Sequence, residues 1–284
     1  MPDARLLVPV ANPETTDRLL DTAIDVARDR DLEILVLTVI AVPPQLALEH
    51  ARANFDVDDA EGVVHDAVER AQAAGVAATG RVRFGRGVAT GIVNVAESED
   101  VETILLGWRG RPRRREIVLG SYIDEVLSEA PCDVLVKRID RDPGPISSVL
   151  VPVAGGPNTE YAAAVAGALA RAYDAEIELL TVVSDADEET IADARTLLTE
   201  TSTALGAVSS VTETVLEGSV VETVLERTAD HDVTILGAAE SGLIRRALVG
   251  DVPEAIARDA SGAVLMAKRH QPTTSRLWRL LRRR

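Results

Sequence analysis

Leu6-Leu7-Val8-Pro9-Val10-Ala11 returns 143 residues later as Val149-Leu150-Val151-Pro152-Val153-Ala154, and residues 33–40 (EILVLTVI) return at the same offset as 176–183 (EIELLTVV). Further along, residues 103–107 (TILLG) match 234–237 (TILG), and 134–136 (VLV) match 264–266 (VLM), now at an offset near 130. The chain therefore contains a duplication whose two copies differ in length between these blocks, where 41–57 shrinks to a short acidic stretch near 184–189. A repeat this long is two copies of a domain, because solenoid units run to roughly 20–45 residues. The prolines and glycine of Asp142-Pro143-Gly144-Pro145 break any element running through the join. The division expected is a first domain over 1–141, a second over 146–270 and a tail over 271–284.

Within each copy, short apolar runs rich in β-branched residues alternate with stretches of helical period. In the first copy the pattern predicts strands near 5–11, 32–40, 78–84, 102–107 and 133–138, with helices near 14–29, 57–75, 88–98 and 120–129. Continuous apolar runs such as 34–40 suit strands buried on both faces. Their alternation with helices predicts an α/β fold: two copies of a five-stranded parallel open sheet with helices on both faces, Rossmann-like in layout. Ligands of such folds sit at the carboxyl ends of the strands where strand order reverses, which directs attention to the residues after Val10, Ile40 and Leu106.

Composition narrows the function classes. The chain has 284 residues, 46% of them apolar, and a formal net charge of −16. That is enough apolar material for two packed domains. The longest apolar run, 161–170, stops at Arg171 and is short of the ~18–20 residues that span a bilayer. The N-terminus enters a strand-like run with no leader pattern, and the single cysteine, Cys132, fits a reducing compartment, so a cytoplasmic protein is expected. General nucleic-acid binding is excluded by the acidic balance. Of the 30 basic residues only Lys137 and Lys268 are lysines. The acidic, arginine-biased composition fits either adaptation to concentrated intracellular salt (a halophilic protein) or GC-rich coding.

The chemistry is concentrated after the fourth strand, in residues 107–121 (GWRGRPRRREIVLGS). The spacing is Gly, two residues, Gly, nine residues, Gly-Ser, with the serine opening a helix. Glycines allow close backbone approach to a phosphate, and the free N–H groups of a helix N-terminus form an anion site reinforced by the helix dipole. Ser121 adds a hydroxyl, and five arginines supplement the charge. The loop is neither a P-loop nor a dinucleotide fingerprint. Read without its context, it is also compatible with two turn glycines and a serine cap.

The Pro-Val opening, this loop after strand four and the closing Pro131-Cys132-Asp133-Val134-Leu135-Val136 together resemble the universal stress protein family, over roughly residues 4–139 and 147–269. The resemblance implies a tandem protein whose first domain binds ATP or a related adenine nucleotide, with Mg as a candidate companion, for stress-response signalling. It puts Gly107, Gly110, Gly120 and Ser121 around ribose and phosphates, and Val10, Ala11 and Val39 at the adenine pocket. Binding members commonly carry an acidic residue where this chain has Ala11; the neighbouring Asn12 offers a hydrogen bond without the charge. By the same analogy, the last strands, 133–138 and 263–268, pair the two domains into an intrachain pseudo-dimer, and further homodimerisation is open. The opening also resembles stress-protein-like modules appended to membrane transporters. The alternative is therefore a nucleotide-independent interaction module that regulates a transporter or another partner.

In the second copy Gly237 and Gly250 keep the separation of Gly107 and Gly120, but Gly110 becomes Glu240 and Ser121 becomes Asp251. Each places a carboxylate where a phosphate would sit, and Asp251 can cap the following helix with Pro253 in its first turn. The second domain is thus expected to be degenerate and nucleotide-free. No catalytic base or metal-ligand spacing emerges from His50, His65, His231 and His270. Cys132 reads as a core thiol, the acidic run 185–189 as a solvated helix start, and any ATP hydrolysis as slow. In the tail, Leu277, Trp278, Leu280 and Leu281 share one helical face opposite Arg276, Arg279, Arg282 and Arg283. Such a segment suits an anionic membrane surface, a docking contact on the acidic body, or a solubilising tail.

Overall fold

A computed structural model describes residues 4–47, 55, 57–109, 121–140, 144–238 and 252–271. The first half runs β1 (Arg5–Pro9), α1 (Pro13–Arg30), β2 (Glu33–Ala41), α2 (Asp58–Ala73), β3 (Ala78–Gly85), α3 (Val88–Ser98), β4 (Val101–Trp108), α4 (Ser121–Glu129) and β5 (Asp133–Arg138). The second runs β6 (Ser148–Pro152), α5 (Pro157–Tyr173), β7 (Glu176–Val183), α6 (Glu188–Ser202), β8 (Val211–Glu217), α7 (Val220–Arg227), β9 (Val233–Gly237), α8 (Val252–Asp259) and β10 (Ala263–Lys268).

All ten strands form one sheet in the order β3-β2-β1-β4-β5-β10-β9-β6-β7-β8. Pairing is parallel within each half, as in Leu7↔Leu35 and Val149↔Ile177. The halves meet where β10 runs antiparallel to β5, Leu265 opposite Lys137 and Lys268 opposite Val134. Each parallel half turns its closing strand to the other, so β5 and β10 cover each other and the sheet ends in β3 and β8. Apolar side chains fill both faces: Leu20, Val64, Tyr161 and Leu198 on the side of α1, α2, α5 and α6, and Ile92, Ile123, Val224 and Ile256 on the other.

The helix boundaries follow from local chemistry. Asn12 Oδ1 accepts from the Thr15 amide at 3.1 Å, and Pro13 opens α1 where a missing N–H costs nothing. The acidic run in the second half resolves as a cap, Asp187 accepting from the Thr190 amide at 2.9 Å.

Side chains reinforce the junction of the halves. Each closing strand ends in a cation that reaches the C-terminus of a helix in the other half: Arg138 donates to Ala257 O at 2.6 Å and Ala260 O at 2.9 Å beside α8, and Lys268 Nζ donates to Leu127 O in α4. On the opposite face α1 packs against α5. Arg171 grips Asp29 at 2.6 and 2.9 Å, the Tyr173 hydroxyl donates to Asp25 at 2.8 Å, and the buried Tyr161 hydroxyl shares a hydrogen bond with Thr103 at 3.1 Å beneath the Arg30 guanidinium.

Burial raises the Asp25 carboxyl above the ordinary aspartate range, the Tyr173 hydrogen bond only partly offsetting it. The folded state therefore holds this proton to higher pH than the unfolded chain, and Asp25 costs stability as pH rises through the window above ~3.9. Asp25→Asn keeps an acceptor for Tyr173 and removes the charge. Its urea midpoint is expected to match wild type at pH 3.5 and to exceed it at pH 7; a gap that stays constant with pH contradicts the assignment.

Candidate functional site

β1 lies between β2 and β4; the chain leaves β1 toward β2 and leaves β4 toward β5, in opposite directions, which opens a crevice at the carboxyl ends of these strands. The residues expected there come together in part. Ala11 is exposed just beyond β1, Val39 is half-buried near the end of β2, and Gly107 is half-buried near the end of β4. Val10 belongs to the core instead: its side chain is 6% exposed, its amide donates to Leu37 O at 2.8 Å, and its carbonyl accepts from Thr38 Oγ1 at 3.1 Å. It fixes the crevice wall and has almost no surface left to touch a ligand. Asn12 is likewise committed to capping α1, its Oδ1 also accepting from Thr15 Oγ1 at 3.0 Å.

Gly107 is inside β4 rather than in the loop, because the strand continues through the buried Trp108 and pairs Gly107 with Lys137. A Cβ at Gly107 would lie 3.2–3.3 Å from the side chains of Ile139 and Leu19, so those side chains pack closely over this position and would have to give slightly to admit one. Its carbonyl accepts from the Tyr122 hydroxyl at 3.0 Å. Tyr122, 40% exposed at the start of α4, stands over the end of β4, and partial burial raises its phenol above the ordinary value. Gly110 and Gly120 lie outside the described residues, as do the side chain of Ser121, residues 239–251 with Glu240 and Asp251, and the tail from 272.

Two further features border the crevice. A Cβ on Gly91 of α3 would lie 2.7 Å from Val39 Cγ1, so the first turn of α3 presses onto β2. Arg86 donates to the carbonyls of Pro43 at 2.7 Å and Leu46 at 2.8 Å, tying down the chain that leaves β2. The spacing Gly85-Arg86-Gly87 with Gly91 after the third strand was the signal available for this wall. Across the mouth, Arg109 and Glu14 form an ion pair at 3.7 Å between side chains that are 59% and 68% exposed.

The corresponding place in the second half is built differently. A Cβ on Gly237 would lie 2.9 Å from the backbone of both Asn158 and Thr159, so the start of α5 presses directly on the end of β9. The buried Asn158 side chain donates to Ala238 O at 2.7 Å and accepts from the Arg269 amide at 2.8 Å. One amide thus stitches three segments where the first half has an exposed ion pair.

The remaining candidates are structural. His231 sits between Glu178 (3.2 Å) and the Arg227 carbonyl (3.0 Å), and His65 pairs on the surface with Glu69 at 3.2 Å. The His270 amide donates to Asp133 at 2.7 Å, while His50 lies outside the described residues. Burial pushes the Cys132 thiol up to about 12, which keeps it protonated and unreactive. No helix among the described residues is long and apolar enough to cross a membrane.

The model of the universal stress protein family matches residues 4–138 and again 145–268. The chain is 29% identical over 154 residues to the Na+/H+ antiporter NhaS5 of Synechocystis sp., an alignment covering 52% of this chain and 21% of that protein. A universal stress protein from Archaeoglobus fulgidus has a similar structure, with a TM-score of 0.71 at 22% identity over 94% of this chain and 99% of the other. The cytoplasmic domain of a prokaryotic cation chloride cotransporter superimposes with a TM-score of 0.65 at 15% identity, over 93% of this chain and 95% of that one. At these identities the two structures establish the shared fold.

Proposed function

The chain belongs to the universal stress protein family through both of its halves, and from that premise we propose that the first half binds ATP or a related adenine nucleotide while the second half is its structural partner. The observation that carries this reading is the contrast between the two strand-end crevices. The first is crossed by an exposed ion pair, Arg109 with Glu14, and the second is stitched by the buried Asn158. The base would sit against Ala11 and Val39. Ribose and phosphates would lie along Gly107, Gly110, Gly120 and Ser121, where the opening turn of α4 presents the positive end of its dipole.

The test is calorimetric titration of the full chain with ATP, ADP and AMP, each with and without Mg. Saturable binding at one nucleotide per chain is expected. Failure of all three to bind overturns the proposal and leaves a nucleotide-independent interaction module, a reading favoured by the similarity to part of an antiporter.

Glu14 sets a further expectation. In the free protein its carboxylate holds Arg109 and places negative charge at the mouth of the crevice. An exposed pair of this kind is worth roughly 0.2–1 kcal/mol, so Glu14→Gln should tighten ATP binding by up to about five-fold. The gain should shrink as salt rises, because both charges face solvent. Unchanged affinity at low salt would detach Arg109 from the phosphates.

A further inference from the structure

The ten-stranded sheet ends in β3 and β8, and among the described residues no strand lies beyond either. The hydrogen bonds to their inner neighbours fix which backbone groups face outward. Ile34 N donates to Ala77 O and Val42 N to Gly85 O, both at 2.8 Å, so the odd-numbered residues of β3 are spent on β2. Gln72 Nε2 takes the Ala78 carbonyl at 2.9 Å. The N–H and C=O groups of Gly80, Val82 and Phe84 therefore point away from the sheet. Ile177 N donates to Ser210 O at 3.0 Å and Gly218 N to Val183 O at 2.9 Å, so in β8 the outward groups belong to Val211, Glu213, Val215 and Glu217. Neither strand contains a lysine or proline, two of the residues that commonly guard exposed edges.

The edges are opposite in charge: β3 carries Arg81 and Arg83, β8 carries Glu213 and Glu217. Arg81 is partly engaged by Glu99, and Glu213 accepts from Thr199 at 3.3 Å; Arg83 has no carboxylate partner among the described residues. Beside β3 a groove of about 470 Å³ runs along α2, its floor formed by Val64, Val68, Val82 and Phe84.

Strand geometry selects among the ways two copies can meet. Joining β3 to β3 sets arginines beside arginines. In an antiparallel joining of β3 to β8, outward residues oppose outward residues. That leaves the glutamates facing Gly80, Val82 and Phe84, with the arginines on the other face of the sheet. In a parallel joining the alignment shifts by one, as in the existing Ile34↔Ala78 pairing, and odd residues of β3 align with odd residues of β8. Arg81 then lies beside Glu213, Arg83 lies diagonally between Glu213 and Glu217, and Leu216 comes alongside Phe84 at the end of the groove.

We propose that copies of this chain associate head to tail, β8 of one adding in parallel to β3 of the next. The contact is heterologous, so growth does not stop at a dimer unless the geometry closes a ring.

Sedimentation equilibrium of the full chain, from micromolar to millimolar concentration in one buffer, tests this. The weight-average mass should rise with concentration, and Arg83→Glu, or Glu213→Arg with Glu217→Arg, should each weaken association at least tenfold. Mixing the two variants should restore it, because each supplies the edge complementary to the other's altered one. A mass fixed at one chain overturns the proposal, as does association unaffected by the reversals or not recovered on mixing. The substituted positions lie on exposed edges, and unchanged unfolding midpoints verify that the variants are folded.

Discussion

Arg138→Met is expected to lower the free energy of unfolding by about 3–5 kcal/mol, the range for removing one partner of a buried charged contact. The side chain is 1% exposed although it carries a full charge. Its guanidinium donates to the carbonyls of Ala257, Arg258, Ala260 and Gly262, at 2.6, 3.2 and 2.9 Å for the first three. These are carbonyls at and just beyond the C-terminus of α8, where a helix has unsatisfied acceptors and the negative end of its dipole. Replacing a buried ion pair by apolar residues is often neutral, but here, besides the half-exposed Asp140 carboxylate at 3.3 Å, the acceptors are backbone and cannot be replaced with the cation. Methionine would fill the volume and leave the carbonyls buried without donors.

Because Arg138 belongs to the first half and α8 to the second, the loss falls on the junction. A guanidinium chloride titration should show a lower midpoint, and a second transition if the halves then unfold separately. Lys268→Met removes the mirror contact, but among the described residues that ammonium donates to a single carbonyl, Leu127 O, and desolvation already lowers its pKa. A loss of about 1–2 kcal/mol is expected there. Equal effects from the two substitutions would contradict a junction held mainly by Arg138.

The parts of the fold legible in the sequence were those governed by local pattern. Residues 32–40 form the strand Glu33–Ala41, 88–98 form the helix Val88–Ser98, and 133–138 form the strand Asp133–Arg138. Continuous β-branched runs suit strands covered on both faces, and helical period shows which side of each helix meets them. The duplication adds a long-range constraint that a single copy lacks, since two equivalent closing strands can satisfy each other.

What the sequence concealed depends on contacts between distant residues. Nothing local distinguishes Arg138 from the other arginines, because the carbonyls it donates to lie 119–124 positions away. Gly107 reads as a loop glycine until Trp108 is seen to be buried and Ile139 to pack closely over the place where a side chain would stand. Asn158 looks like an ordinary residue in the first turn of a helix, yet it closes the second crevice across gaps of 80 and 111 residues. In the first half the corresponding function falls to Glu14 and Arg109, whose charges suggest surface residues and whose relation appears when α1 is set beside β4. The binding determinants proposed for the loop are readable as a motif, whereas the difference between an open and a stitched crevice is a property of packing.

That difference gives the last expectation its form. Gly120→Asp should weaken ATP binding by about 100-fold, since two unit charges 4 Å apart repel by about 4 kcal/mol at an effective dielectric near 20 and solvent screening removes part of it. Folding should be spared: an aspartate immediately before the helix that opens at Ser121 can cap it, so the unfolding midpoint should hold or rise slightly. Loss of binding at unchanged stability therefore isolates charge from structure. The reciprocal change, Glu240→Gly with Asp251→Ser, removes the carboxylates from the equivalent frame of the second half, where Asn158 still holds the start of α5 against β9. Calorimetric stoichiometry should remain one nucleotide per chain in that variant. A rise to two would mean that charge alone silences the second half; a constant value points instead to the Asn158 stitch, which holds the start of α5 against the end of β9.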